Sequence, residues 1–308
     1  MSNNPEFEIE NGVLLKYHGK GGEVTVPEGV TRIEGAFMYN ETLTGVVIPS
    51  SVTSIGIYAF IGCKKLTNVV IPESVTDIGN GAFFNCTSMT SAVIPENTTR
   101  LSEWLFSCCE SLTSIVIPKN VTVIGYRAFE NCASLTEILI PENVTRIGNK
   151  AFEGCTNLTE IVLPKSVRGI GYSAFADCTN LRSIVIPSSI TDLISNQLKG
   201  CENLTRIICS PTVAAQLENS GFAKKTVGYF LNSLTADRIA ESEKQEWFDF
   251  ITENTPETFR VLTDNAPFYR AILENVTLSP EDIDEILTFT ESIECRALLL
   301  EYKKGATR

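Results

Sequence analysis

Between Pro49 and Pro187, apolar and polar positions recur as a block of 23 residues rather than with one steady helical or strand period. Three copies read PESVTDIGNGAFFNCTSMTSAVI (Pro72 to Ile94), PKNVTVIGYRAFENCASLTEILI (Pro118 to Ile140) and PENVTRIGNKAFEGCTNLTEIVL (Pro141 to Leu163). With Pro as slot 1, the block is Pro, x, x, Val, Thr, x, Ile, Gly, x, x, Ala, Phe, x, x, Cys, x, x, Leu, Thr, x, Ile, x, Ile. Its tail, as in Leu135 to Ile140, alternates and is rich in β-branched residues, which predicts a strand. Slots 18, 21 and 23 would point inward, and the next Pro, lacking an N–H, ends each strand at the same place. Val-Thr-x-Ile predicts a second, shorter extended piece on the opposite wall.

Gly at slot 8 (Gly56, Gly79, Gly125, Gly148, Gly171) suits a turn with positive φ. The Ala-Phe pair that follows places Phe37, Phe60, Phe83, Phe106, Phe129, Phe152 and Phe175 in an internal spine. A unit this short cannot bury its own apolar face and must stack on its neighbours, so the period predicts a solenoid. The stacked tails would form one continuous parallel sheet along one wall.

Strand alternation turns slots 20 and 22 outward, on the concave side of such an array. Slot 22 reads Val47, Val70, Val93, Val116, Leu139, Val162, Val185 and Ile208; slot 20 includes Ser91, Ser114, Glu137, Glu160 and Ser183. An unbroken apolar row in water suggests a groove for an apolar or extended segment of a partner. Val70, Val93, Val116, Leu139, Val162 and Val185 would supply the contact, and Glu137 and Glu160 the charge selectivity. The competing reading is that β-branched residues simply suit a pleated sheet and cover one another.

The PxxVTxIGxxAFxxCxxLTxIxI pattern resembles the leucine-rich repeats of the BspA-like kind, over roughly residues 22–209. The resemblance implies a leucine-rich repeat solenoid, a right-handed superhelix with a parallel β-sheet on its concave wall. Because some members are surface adhesins, it also implies an adhesive, cell-surface alternative to a simple binding scaffold.

Irregular coils are where individual character lies. The first is one residue short, with Asn40 in the Cys slot. The coil from Pro95 carries Thr98, Ser102 and Leu105 in place of Val, Gly and Ala, and adds Trp104, an outer-wall aromatic whose plain reading is a packing adjustment. Pro187 opens a decayed copy with Ile194, Gln197 and Leu198, as expected of a capping unit.

Of the ten cysteines, Cys63, Cys86, Cys109, Cys132, Cys155, Cys178 and Cys201 stand 23 residues apart and share one slot. They form an inward column of reduced thiols acting as small apolar fillers, not a disulfide framework. Cys108 falls outside that column. Zinc sites want Cys pairs two to four residues apart or His partners, so no metal is expected. The Asn-x-Thr sequons follow from the repeat's fixed Thr.

The net charge of −12 speaks against nucleic acid as a partner, and no apolar run approaches the ~20 residues that span a bilayer. The start carries no basic segment followed by an apolar stretch, which predicts a cytoplasmic location. His18 is the only histidine and has no nucleophile beside it in sequence. No phosphate loop or dinucleotide fingerprint appears either, so neither catalytic residues nor a cofactor are expected.

Four segments follow: a cap (1–21), the solenoid (22–209), a capping unit (210–230) with a helix at Ser210 to Phe222 and a strand at Thr226 to Leu231, and an acidic helical region (231–308). The last holds 16 acids against 8 bases. It predicts a helix from Thr235, short helices near 256–263 and 266–275, and a strong helix start at Ser279-Pro280-Glu281-Asp282. Its final helices carry Ile283, Ile286, Leu287, Ile293, Ala297, Leu298 and Leu299 at helical spacing. Trp247, Phe248, Phe250, Phe259, Phe268 and Tyr269 would make its core. The whole points to a non-enzymatic scaffold that holds a protein or peptide on the concave face. The alternative is a structural or adhesin-type element whose helical end docks.

Overall fold

The computed structural model describes residues 5–187, 189–190, 195–209, 266–290 and 292–306, together with Val213 and Phe248. It is a parallel-sheet β-solenoid of about eight turns with helices toward the C-terminus. The chain divides into two compact units, Met1–Ile190 with Ile194–Leu204, and Thr191–Leu193 with Thr205–Arg308.

The first unit opens with an antiparallel hairpin, β1 (Phe7–Glu10) and β2 (Val13–Tyr17). β2 then runs parallel to β4 (Arg32–Ile33), which starts the wall built from slots 6 and 7. That wall continues through β6 (Ser54–Ile55) and β8 (Asp77–Ile78), and resumes as β10 (Arg100–Leu101), β11 (Val123–Ile124), β12 (Arg146–Ile147) and β14 (Gly169–Ile170). On the other wall, β3 (Gly22–Thr25), β5 (Leu43–Val47), β7 (Asn68–Val70) and β9 (Ser91–Val93) form one parallel sheet. β13 (Glu160–Val162) and β15 (Ser183–Val185) pair further on.

The tails therefore do not make one continuous sheet. Residues 114–116 and 137–139 hold the same in-and-out alternation but no ladder. The N–H groups of residues 114–117 and 137–140 form no backbone hydrogen bond among the described residues. The slot 6–7 wall breaks at the same place, between the coil from Pro72 and the irregular coil from Pro95. There Ser102 stands where its neighbours have Gly, and its Oγ, not its N–H, takes the Ile78 carbonyl at 2.5 Å. In regular coils the Gly N–H makes that bond, as Gly148 does to Ile124 at 2.8 Å. A coil seated through a side chain sits differently on its neighbour, and the strand ladders lapse beside it.

Inside the array the seven Phe rings stack face to face, with centroids 5.0 to 5.8 Å apart and planes within 12°. Each is fully buried, a gain of about 1.5 to 3 kcal/mol per ring. The hairpin extends the spine: Tyr17 lies 5.3 Å from Phe37, and Phe7 lies 5.1 Å from Tyr17. Slots 18, 21 and 23 are buried as the alternation requires, for example Leu66, Val69 and Ile71.

The turn wall holds a ladder of its own. The N–H groups of slots 10, 12 and 14 donate to the next coil, as Arg127 does to Asn149, Phe129 to Ala151 and Asn131 to Glu153, at 2.7 to 3.0 Å. Pointing alternate amides forward requires left-handed backbone at slots 10 and 14. Tyr58, Trp104, Arg127, Lys150 and Ser173 have φ of 53 to 58°, as do Cys108, Asn131 and Asp177 at slot 14. The slot 8 glycines have no such φ, so the turn expected of them is not what they provide. They are needed for close approach. A Cβ on Gly148 would stand 2.6 Å from the Gly125 carbonyl carbon, and one on Gly79 would stand 2.5 Å from the Ile57 nitrogen.

In the second unit, β16 (Arg206–Ile208) is followed by α1 (Ala266–Leu273), α2 (Pro280–Phe289) and α3 (Ile293–Ala306). Ser279 caps α2 in a capping box with Asp282, with Pro280 in the first turn, as the sequence predicts. Tyr269 is buried with its hydroxyl 3.2 Å from Thr290 Oγ1, and Arg296 donates to the Leu287 and Thr290 carbonyls that end α2. Of the apolar residues at helical spacing, Ile283, Ile286 and Leu299 are buried, while Ile293 is 87% exposed and Ala297 is exposed. Phe248 and Val213 are helical and buried. The helix from Thr235, that near 256–263, the strand at Thr226 to Leu231, and Trp247, Phe250 and Phe259 lie outside the described residues.

Two glycines test the packing account. Gly148→Ala must move the neighbouring backbone and should cost about 3 kcal/mol. Gly169→Ala meets nothing within 4 Å at an ordinary φ and should be neutral or stabilise by about 0.5 kcal/mol. Denaturant midpoints measure both; equal losses would contradict close approach as the reason for slot 8.

Candidate functional site

On the strand wall the outward slots carry a row of exposed apolar side chains. Val47, Val70, Val93 and Val162 are 51 to 61% exposed, Val116 is 78% and Leu139 is 82%. Val185 is half-buried and Ser183 buried, so the exposed row ends before the last of the predicted contact residues. Glu137 and Glu160 are both exposed at slot 20 of neighbouring coils. The two most exposed members, Val116 and Leu139, belong to the coil tails that lack a ladder. Apolar side chains and unpaired backbone groups thus occur together at the centre of this wall.

The wall is held in place by threonines that a simple copying argument leaves unexplained. At slot 19, Thr67, Thr90, Thr113 and Thr159 each donate both N–H and Oγ1–H to the carbonyl of the preceding coil's Thr. At slot 5, Thr53, Thr76, Thr122 and Thr145 direct Oγ1 to the same kind of carbonyl. Asparagines do similar work at slot 3, where Asn97, Asn120 and Asn143 reach back to the Glu73, Glu96 and Lys119 carbonyls.

The cysteine column is buried and free of disulfides. It is more than filler: each thiol donates to the carbonyl of the preceding coil's Phe, from Cys63 to Phe37 through Cys201 to Phe175, at 3.1 to 3.3 Å. Burial pushes the Cys63 and Cys155 thiols up to about 12, and raises Cys86, Cys132 and Cys178 in the same way. Such thiols are poor nucleophiles and poor metal ligands. Cys108, half-buried, stands apart from them.

A polar cluster on the turn wall has no counterpart in the sequence reading. Trp104 packs edge-on against Tyr126 at 5.0 Å, and the Arg127 guanidinium lies 5.0 Å from the Tyr126 centroid. Arg127 Nε is 3.3 Å from Glu130 Oε1, and Ser107 Oγ donates to Glu130 Oε2 at 3.2 Å. Lys150 and Glu153 repeat the pairing one coil on, at 2.9 Å. Burial raises the Glu130 carboxyl against the pull of Arg127 and Ser107. The only sequence signal was opposite charge at slots 10 and 13. These groups pair by charge, although Arg127 Nε and Glu153 Oε2 are buried without a hydrogen bond, and Trp104 beside them is half-buried, which fits the packing reading of that residue.

His18 Nε2 lies 3.2 Å from Glu8 Oε2 on the exposed face of the hairpin. Among the described residues, no group of three His, Cys, Asp or Glu side chains is placed to hold a metal ion, and no helix is long and apolar enough to cross a membrane.

A stacked-coil repeat protein with a strand wall and a turn wall is thus defined by its own geometry. The chain belongs to the BspA type leucine rich repeat family, whose repeat region matches in six copies over residues 31–159 and 124–233. Among solved structures it is similar to a leucine-rich repeat protein from Bacteroides ovatus, 31% identical with a TM-score of 0.53, over 60% of this chain and 48% of that one. It therefore spans about half the length of that relative. A leucine-rich repeat protein from T. pallidum is 27% identical over 67% of this chain and 81% of its own, with a TM-score of 0.33. A leucine rich cell surface protein from Faecalibacterium prausnitzii is 24% identical over 70% and 91%, with a TM-score of 0.34. No curated protein matches the chain.

The thiol column predicts an alkaline limit to stability. A thiol ionises near pH 9.0 when unfolded but only near 12 when buried here. Its contribution is complete below pH 9 and is lost as pH rises toward 12, at about 1.4 kcal/mol per pH unit per thiol. The thiols' contribution to stability should be flat below pH 9, and stability should fall steeply above it. Cys86→Ser and Cys132→Ser should each make the fall shallower by about one thiol's share. Denaturation at stepped pH reads this; a slope unchanged in the variants would contradict it.

Proposed function

We propose that the protein is a non-enzymatic binding scaffold that holds an extended protein or peptide segment along its strand wall. Families of this repeat type are typically interaction scaffolds rather than enzymes, which supports the general reading. The observation that carries the particular one is the coincidence at Val116 and Leu139. There the most exposed apolar side chains of the row flank backbone N–H and C=O groups that no neighbouring strand pairs. An extended segment lying there would cover apolar surface and bond to free backbone, the two contributions that strand-like recognition combines. Val70, Val93 and Val162 extend the contact along the array. Glu137 and Glu160 favour a segment bearing a basic residue, and Val185 contributes at the margin.

A second reading rests on α3. Ile293, Ala297 and Leu300 recur at helical spacing on one face and are all exposed, the last at 46%. That face fits a module in which the solenoid is a spacer and the helical region docks.

The triple variant Val116→Ser, Leu139→Ser, Val162→Ser separates the two. The substituted side chains are exposed, so the fold should persist with an unchanged circular dichroism spectrum. Binding of a partner selected against the full chain should weaken by roughly a hundredfold, about 2.7 kcal/mol. Retention of binding by the triple variant, with loss in Ile293→Ser, Leu300→Ser, would favour the docking helix instead.

A further inference from the structure

On the slot 6–7 wall, away from the apolar row, lies an open cleft of about 700 Å³ lined by residues that include Arg146, Asn149, Arg168, Gly169, Ile170 and Tyr172. Two departures from the repeat, side by side in one coil, help to shape it. At the slot filled by Thr31, Thr53, Thr76, Thr99, Thr122 and Thr145, the coil from Pro164 carries Arg168. At the next slot, where other coils carry a side chain such as Asp77, Val123 or Arg146, it carries Gly169, and a Cβ there would meet nothing within 4 Å. One change adds a guanidinium and the other leaves open floor beside it.

The charges of the cleft are unmatched among the described residues. Elsewhere in the array, Arg32 pairs with Glu34 at 2.5 Å, Arg100 with Glu103 at 3.7 Å and Arg127 with Glu130 at 3.3 Å. Among the described residues, Arg146 makes no ion pair or hydrogen bond through its side chain. Arg168 donates only to the Lys165 and Val167 carbonyls, which hold it in place without neutralising it. No carboxylate among the described residues lines the cleft, in a chain with 37 acids against 25 bases. Asn149 Oδ1 accepts the Tyr172 N–H at 2.9 Å, leaving its own N–H₂ group to donate. Tyr172 presents a half-exposed ring, and Ile170 is only partly covered, unlike its fully buried equivalents Ile124 and Ile147.

We propose that this cleft binds a small molecule bearing an oxyanion, a phosphate or a carboxylate, with its body against Tyr172 and Ile170. Guanidinium forks match the paired oxygens of either group, and two unneutralised forks in one cleft favour an anion over any neutral ligand. The cleft is separate from the wall that carries the apolar row and does not rest on the function proposed for that row.

Calorimetric titration of the full chain with inorganic phosphate, and separately with acetate, at constant ionic strength in chloride, tests the site. At least one anion should bind, with Kd on the order of 1 mM for so small a probe. Arg168→Thr, which restores the repeat's own residue, should weaken binding roughly tenfold or more while the denaturation midpoint stays level or rises. Gly169→Val, which places the residue of the Val123 slot on the cleft floor, should do the same without changing charge. Tighter binding of phosphate than acetate assigns a phosphate ligand, and the reverse a carboxylate. Absence of heat with both anions, or equal affinity in the parent and the two variants, overturns the proposal.

Discussion

The structure depends on hydrogen bonds passed from coil to coil by the turn wall. In each coil, alternate amides at slots 10, 12 and 14 face forward, and the amides between them bond within the coil. This arrangement fixes the coil spacing, brings the Phe rings to their 5.0 to 5.8 Å stack and aligns each thiol with a Phe carbonyl. It also requires non-glycine residues to hold positive φ at slot after slot. Such backbone is uncommon and unfavourable residue by residue. It persists because the neighbouring coils over-determine it and because the buried spine more than offsets its cost.

Given that frame, the two strand walls need not be perfect. The irregular coil from Pro95 keeps its Phe106, its Cys109 and its forward amides, yet the ladders on both strand walls lapse in its vicinity. The turn wall carries the stack through the lapse. What is left is a stretch of strand wall with the right side-chain alternation and unsatisfied backbone, in a molecule otherwise economical with both. The Pro164 coil shows the same freedom on the opposite wall, where Thr gives way to Arg168 and a side chain to Gly169 without disturbing Phe175 or Cys178.

Much of this was legible in the sequence because a fixed period converts slot identity into position. The Phe spine, the inward Cys column, the exposed row from Val70 to Val162 and the cap of α2 at Ser279 all follow from residue type and spacing alone. The illegible parts are those that backbone, rather than side chain, decides. Gly148 looks like a turn residue but serves close approach, while the left-handed positions are held by Tyr58, Trp104, Arg127 and Lys150, none of which signals positive φ. The missing ladder at 114–116 and 137–139 is invisible in tails whose sequences, SIV and EIL, are ordinary strand. The Arg146–Arg168 cleft is illegible for another reason: it is formed by two neighbouring coils together, which a slot-by-slot pattern does not show. Ile293 and Ala297 fit a helical core by spacing, but their face of α3 is left exposed.

Amide hydrogen exchange tests the central claim most directly, because it reads both walls of the same coils in one experiment. The account predicts that the forward amides of Trp104, Phe106, Cys108, Arg127, Phe129 and Asn131 exchange only with global unfolding. It predicts that amides of residues 114–117 and 137–140, in the same coils, exchange orders of magnitude faster. Equal protection on the two walls would contradict it.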